Sequence, residues 1–131
     1  TSTSSITMAA SVEAISGPQD FILDHNKKFI KRRDLVVSKL NEIDGITCSK
    51  PDGAFYVYPN CQDILGKITP NGKKISSDED FITYLLEDQG VAGVHGSAFG
   101  LSPYFRLSYA TSDHILEDAC NRIQLACSKL K

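Results

Sequence analysis

Three observations predict an α/β fold in which a small, mostly antiparallel sheet is covered by helices. Segments of helical and of strand period alternate along the chain in the order helix, long helix, strand, strand, helix, strand, strand, helix. Connections between the strand segments are short, which favours antiparallel pairing over the longer crossovers of a parallel sheet. The composition is that of a folded globular protein: of 131 residues, 41% are hydrophobic and 23% charged. That length suits a single core.

The elements follow in order. Ile6 to Ser16 reads as a short helix stopped by Gly17-Pro18. Pro18 fits the first turn of a second helix, where its missing N–H is not needed. This helix is expected to run to about Ile43, with Phe21, Ile22, Phe29, Ile30, Val36, Val37, Leu40 and Ile43 on its apolar face. The opposite face carries Lys27, Lys28, Lys31, Arg32 and Arg33 together with acids, among which Asp24 and Lys28 stand at i,i+4 spacing. A solvated helix face explains that run better than a phosphate or nucleic-acid patch. Asp44-Gly45 ends the helix. Ile46 to Lys50 and Ala54 to Tyr58 read as a strand pair around the turn Pro51-Asp52-Gly53. Gly66 to Ser76, with Pro70-Asn71-Gly72, reads as an exposed loop tolerant of change.

Ser76 or Ser77 then caps a helix in which Asp78, Glu79 and Asp80 face the N-terminal dipole as helix-start residues. Phe81, Ile82, Leu85 and Leu86 form its buried face, and Gly90 ends it. Val91 to Val94 reads as a short strand leading into the glycine-bounded loop His95 to Gly100, and Tyr104 to Ala110 as another strand. Thr111 or Ser112 caps a terminal helix with an apolar stripe of Ile115, Leu116, Ala119, Cys120, Ile123, Cys127 and Leu130. Lys129 and Lys131 suit the C-terminal end of its dipole.

Charge and cysteine content narrow the function classes. With 14 Lys+Arg against 16 Asp+Glu, the chain lacks the basic excess of a nucleic-acid binder. No apolar run approaches the roughly 18 residues of a membrane span, so neither nucleic acid nor membrane is an expected partner. Thr1 to Ser5 has neither a secretory-signal pattern nor an initiator Met, and the chain reads as a piece of something longer. Cys48, Cys61, Cys120 and Cys127 form no Cys-x-x-Cys pair and have no histidine at metal-ligand spacing. They are expected to be buried thiols of a cytoplasmic protein, and no metal is indicated.

Neither a P-loop, a Gly-x-Ser-x-Gly elbow, a His-Glu-x-x-His run nor a Rossmann fingerprint is present. Gly96 to Gly100 reads as a structural turn. Arg106 is the residue with the most chemistry to offer. In the strand Tyr104 to Ala110 it shares a face with Tyr104, Ser108 and Ala110, opposite Phe105, Leu107 and Tyr109. A guanidinium among hydroxyls and rings can grip a carboxylate through two parallel bonds. The same pattern also fits a surface arginine on a half-exposed strand.

Three segments together resemble the last third of class I aminotransferases, most of all the bacterial aspartate (aspartate/prephenate) branch. They are Pro51-Asp52-Gly53-Ala54-Phe55-Tyr56-Val57-Tyr58, then Val91 to Gly100, then Phe105-Arg106-Leu107-Ser108-Tyr109-Ala110. The resemblance implies the small domain of a fold type I, pyridoxal-phosphate-dependent transferase. Residues 1–16 would continue from a missing large domain, and 17–131 would form the C-terminal small domain. It also implies that Arg106 binds the substrate α-carboxylate and that Phe55 lines the substrate pocket. The expected activity is aspartate:2-oxoglutarate transamination by a homodimer acting on amino acids and 2-oxo acids. Prephenate, aromatic or other amino-acid specificity is the alternative within the family.

The family's Schiff-base lysine precedes the matched stretch, and no lysine here lies in its Ser-Lys…Gly-x-Arg context. No catalytic or cofactor-binding residue is therefore assigned in this chain, which is expected to be inactive alone and not to bind pyridoxal 5'-phosphate. A rival reading is a stand-alone, non-catalytic binding domain of the same fold. Against it, Ile6, Met8, Ala9, Ala10, Val12 and Ile15 have little to pack on locally, so the isolated chain is expected to expose an apolar patch.

Overall fold

Gly17 and Pro18 break the helical signal where expected, and in the computed structural model, which describes residues 2–131, two helices meet there. Thr1, the first residue of the expected leading segment, lies outside the described residues. Helix α1 spans Ser5–Ser16 and α2 spans Asp20–Asn41. Pro18 sits before α2 rather than in its first turn, because Gln19 occupies the cap. Its side-chain amide donates to the carbonyls of Ala14 and Gly17, both at 3.0 Å, which fastens the junction.

Helix α1 buries none of its residues: Ile6 is 81% and Ile15 79% exposed. The start of α2 is also exposed, including Phe21, Ile22 and Leu23, and only its second half enters the core through Val36 and Leu40. The basic face of α2 is a solvated, paired surface. Asp24 pairs with Lys27 at 3.3 Å, one position short of the expected Lys28. Lys31 and Arg32 both reach Asp113 at the start of the terminal helix, at 2.8 and 3.0 Å.

The sheet has three short strands in the order β1 (Tyr56–Val57), β3 (Phe105–Ser108), β2 (Val94–His95), all antiparallel. Tyr56 pairs with Ser108 and Val57 with Leu107, while Val94 pairs with Arg106 and His95 with Phe105. The expected strand at Ile46 to Lys50 does not form. Asn41, at the end of α2, takes both backbone groups of Cys48: its Oδ1 accepts from the Cys48 N–H at 2.8 Å and its Nδ2 donates to the carbonyl at 2.9 Å. The segment is thereby tied to the helix end, and only Thr47 retains a bridge, to Asn60. Strand β1 is shorter than expected because Ala54 adopts a left-handed backbone (φ 59°).

Helix α3 spans Asp78–Gln89, with Ser77 as its cap, accepting from the Asp80 N–H at 3.1 Å, and Gly90 closing it at φ 66°. Its buried face uses Tyr84 where Leu86 was expected: Leu86 is 53% exposed. The Tyr84 hydroxyl donates to the Ala126 carbonyl at 3.0 Å, which satisfies the polar tip of a buried ring. Helix α4 spans Asp113–Ser128 behind Ser112. Leu116, Cys120, Ile123 and Cys127 are buried as expected, with Ala126 added and Ile115 half-exposed. The Gly66 to Ser76 loop is less free than its composition implies. Thr69 and Ile75 are buried, and Ile68 exchanges two backbone hydrogen bonds with Lys131, at 2.8 and 3.0 Å.

All four cysteines are free and buried in one core with Val36, Leu40, Val57, Phe81, Phe105 and Ile123. Burial pushes the thiols of Cys48 and Cys120 up to about 11 and those of Cys61 and Cys127 up to about 12. At pH 8 only about one thiol in a thousand would ionise at the lower of these values, and access is blocked as well. An aromatic disulfide reagent should therefore modify none of the four in the folded protein and all four in denaturant. Rapid modification of any one under native conditions would place it outside the core described here.

Candidate functional site

Strand β3 is the centre of the sheet, so its alternation decides what each face presents. Phe105 and Tyr109 turn into the core, 0% and 2% exposed, and Arg106 lies on the other face, half-buried. Phe105 packs edge-on against Phe81 with ring centroids 5.5 Å apart, which fixes the strand against α3.

The Arg106 guanidinium carbon lies 4.4 Å from the centroid of the Tyr56 ring and 4.5 Å from that of Phe99. Tyr56 arrives from β1, one step along the sheet. Phe99 comes from the short 3₁₀ turn Gly96–Phe99 that follows β2. Two aromatic rings hold the cation through their negative faces while its in-plane N–H groups stay available to a ligand. Among the described residues, no carboxylate lies within ion-pair distance of Arg106. This is the arrangement a bidentate carboxylate site requires: a fixed, partly desolvated fork without an internal partner.

The loop carrying Phe99 is tightly built. A Cβ at Gly96 would collide with the carbonyl oxygens of Leu101 and Tyr104 and with the Tyr58 hydroxyl, so only glycine fits. The Gly96 N–H donates to the Tyr104 carbonyl at 2.7 Å, and the Tyr58 hydroxyl donates to the Gly96 carbonyl at 3.2 Å. Tyr58 stacks on Tyr104 at 5.6 Å and meets Phe99 edge-on at 6.3 Å.

Asp78, at the start of α3, is 1% exposed and faces this loop. Its Oδ2 accepts from the Ser97 N–H at 2.7 Å and its Oδ1 from the Ser102 hydroxyl at 2.9 Å. Burial, the largest single influence, pushes its carboxyl up. The Ser97 N–H, the Ser102 hydroxyl and its own backbone N–H outweigh burial together and hold it below the ordinary carboxylate value. Asp80 behaves as the expected helix-start residue, its Oδ2 accepting from the Ser76 N–H at 3.1 Å.

Phe55 is 42% exposed and lies tilted against Tyr56 with ring centroids 4.5 Å apart, with Phe29 at 6.5 Å. Tyr109 locks its backbone: the Tyr109 N–H donates to the Phe55 carbonyl at 2.9 Å and the hydroxyl to the Ala54 carbonyl at 2.8 Å. Phe55 thus borders Arg106 through Tyr56. Sequence reasoning did not single out Tyr56, Phe99 or Asp78. An aromatic residue between two glycines was the available signal for Phe99; Asp78 was masked by its two acidic neighbours.

Lysine offers no second centre, since among the described residues none is buried. Lys27, Lys31, Lys50, Lys73 and Lys129 are engaged in surface ion pairs. Among the described residues, no three His, Cys, Asp or Glu side chains converge as a metal site would need, and no helix is long and apolar enough to cross a membrane.

Comparison with known proteins gives the site a context. The family model described as aminotransferase class I and II matches residues 1–123. A probable aspartate/prephenate aminotransferase of Rhizobium leguminosarum bv. phaseoli is 59% identical over 127 residues, which are 97% of this chain and 32% of that protein. The crystal structure of the aspartate aminotransferase from Rhizobium meliloti superposes with a TM-score of 0.96 at 57% identity, covering 98% of this chain and 32% of that one. The alanine aminotransferase from Pyrococcus furiosus gives a TM-score of 0.79 at 32% identity, over 91% of this chain and 28% of that one. The chain spans about a third of the length of the curated relatives it matches.

Proposed function

This chain belongs to the class I and II aminotransferase family, and from that premise we propose that it is the C-terminal part of an aspartate:2-oxoglutarate aminotransferase, supplying the arginine that grips the substrate α-carboxylate. The observation that carries this reading is Arg106: a half-buried guanidinium on the central strand, between Tyr56 and Phe99, without an internal carboxylate. Phe55 extends the aromatic wall of the same pocket. In this reading residues 17–131 are the small domain, and residues 1–16 lead in from a large domain. The unburied apolar side chains of α1 support that division, since they suit a surface covered by protein beyond this stretch.

The family implies pyridoxal 5'-phosphate in full-length enzymes, but the residues of this stretch do not fit that cofactor. It needs a sheltered amine, and every lysine among the described residues lies at the surface or only partly covered. The cofactor therefore belongs to the remainder of the protein. We place the whole enzyme in the cytoplasm as a homodimer, a reading that four free buried thiols support only as to a reducing compartment. A second specificity, toward prephenate, is favoured by the name of the Rhizobium leguminosarum relative.

The test pairs the whole protein with this chain alone. The protein read from the complete encoding frame should convert L-aspartate and 2-oxoglutarate, whereas this chain mixed with pyridoxal 5'-phosphate should develop no saturable, amino-acid-sensitive absorbance band. Such a band in the chain alone would overturn the division of labour. A frame that ends without a large domain would favour the stand-alone binding domain.

A further inference from the structure

Asp78 is buried, makes no ion pair among the described residues, and the reading of Arg106 gives it no direct task. Its two hydrogen bonds nevertheless bracket one short piece of chain. Oδ2 holds the Ser97 N–H at 2.7 Å and Oδ1 holds the Ser102 hydroxyl at 2.9 Å. Between those anchors lies Phe99, whose ring covers the Arg106 guanidinium at 4.5 Å. On these grounds we propose that Asp78 is a positioning residue for substrate recognition, fixing the Ser97–Ser102 loop so that Phe99 holds Arg106 in its carboxylate-binding pose. The proposal rests on the reading of Arg106 as the carboxylate grip.

The start of α3 does not rest on Asp78 alone. Its cap bond is made by Ser77 to the Asp80 N–H at 3.1 Å, and Asp80 reaches back to the Ser76 N–H. Both side-chain oxygens of Asp78 also reach outward, to Ser97 and Ser102 of the loop. Its negative charge sits at the positive end of the helix dipole, which keeps it an acceptor for both donors. Loss of those bonds frees a backbone N–H and a hydroxyl, and the loop can then turn outward to hydrate them. Phe99 leaves with the loop, and Arg106 gains rotamers that must be lost again when substrate binds. The cost falls on binding and not on the chemical step.

The measurement uses the whole enzyme, with KM for L-aspartate and kcat from steady-state kinetics and, independently of turnover, the Kd of succinate from calorimetry. Asp78→Ala should raise KM and the succinate Kd by about five- to thirtyfold, the size of a lost partly desolvated cation–π contact, with kcat changed by less than about twofold. Asp78→Asn can accept from Ser97 through Oδ1 and donate to Ser102 through Nδ2, and should restore both constants to within about twofold of native. Phe99→Leu should match Asp78→Ala, and the double variant should be no worse than Phe99→Leu alone. If the two single effects multiply instead, or if Asp78→Ala leaves the succinate Kd unchanged while Arg106→Ala weakens it, the positioning role is wrong. If Arg106→Ala itself leaves succinate binding intact, the underlying reading of Arg106 fails instead. Should Asp78→Ala not fold, Ser102→Ala removes one anchor only and should raise the Kd by about two- to fivefold; a native Kd in that variant would equally overturn the proposal.

Discussion

In the whole enzyme, replacing Arg106 with alanine should lower kcat/KM for amino-acid substrates by about 30- to several-thousand-fold. That range corresponds to the roughly 2–5 kcal/mol lost when one partner of a partly desolvated, hydrogen-bonded charge pair is removed. The magnitude follows from the setting of the guanidinium. It is half-buried between Tyr56 and Phe99, and a substrate carboxylate would meet both charge and geometry there. Folding should be little affected, because among the described residues Arg106 makes no ion pair whose loss would strand a buried carboxylate. Arg106→Lys keeps the charge but not the planar fork, and should recover only part of the loss.

Phe105→Ala should act through stability instead, costing about 3–5 kcal/mol. Phe105 is fully buried, packs edge-on against Phe81, and its N–H donates to the Pro59 carbonyl at 3.0 Å. Truncation leaves a cavity between the central strand and α3, the two elements that position Arg106 and the Phe99 loop. Urea unfolding of the whole protein should show the loss as an earlier transition in this region, and Phe105→Leu should recover most of it. An unchanged transition for Phe105→Ala would mean that β3 is not held by this packing.

Much of this architecture can be read from local chemistry. The helices are marked by strong punctuation: Gly17-Pro18, the Ser77 cap with its acidic first turn, and Gly90 in the left-handed conformation. The face on which Arg106 lies can be read from two-residue alternation, because Phe105 and Tyr109 had to face the core, while its role came from the family resemblance. The failures share a cause, which is competition from contacts distant in sequence or set by one side chain. Ile46 to Lys50 has strand periodicity, yet Asn41 captures the Cys48 backbone groups that a neighbouring strand would need. Ile115 has the spacing of the buried stripe, but it sits in the first turn of α4 and stays half-exposed, whereas Ala126, about three turns on and near the same face, is buried. Asp78 looks like Glu79 and Asp80 in the sequence; only the return of the chain at Ser97 and Ser102 separates it from them. The aromatic pair around Arg106 joins residues 56 and 99, a separation that periodicity cannot bridge.

The central claim is that Arg106 binds the carboxylate common to all amino acids, not the one in the side chain of aspartate. The most direct measurement is the ratio of kcat/KM between native enzyme and Arg106→Ala across L-aspartate, L-alanine and L-phenylalanine, using whichever of these the native protein turns over. Losses of similar size for every substrate are predicted, since each offers the same α-carboxylate to the same fork. A loss confined to aspartate, with the monocarboxylic substrates spared, would contradict the claim and move Arg106 to the side-chain end of the substrate.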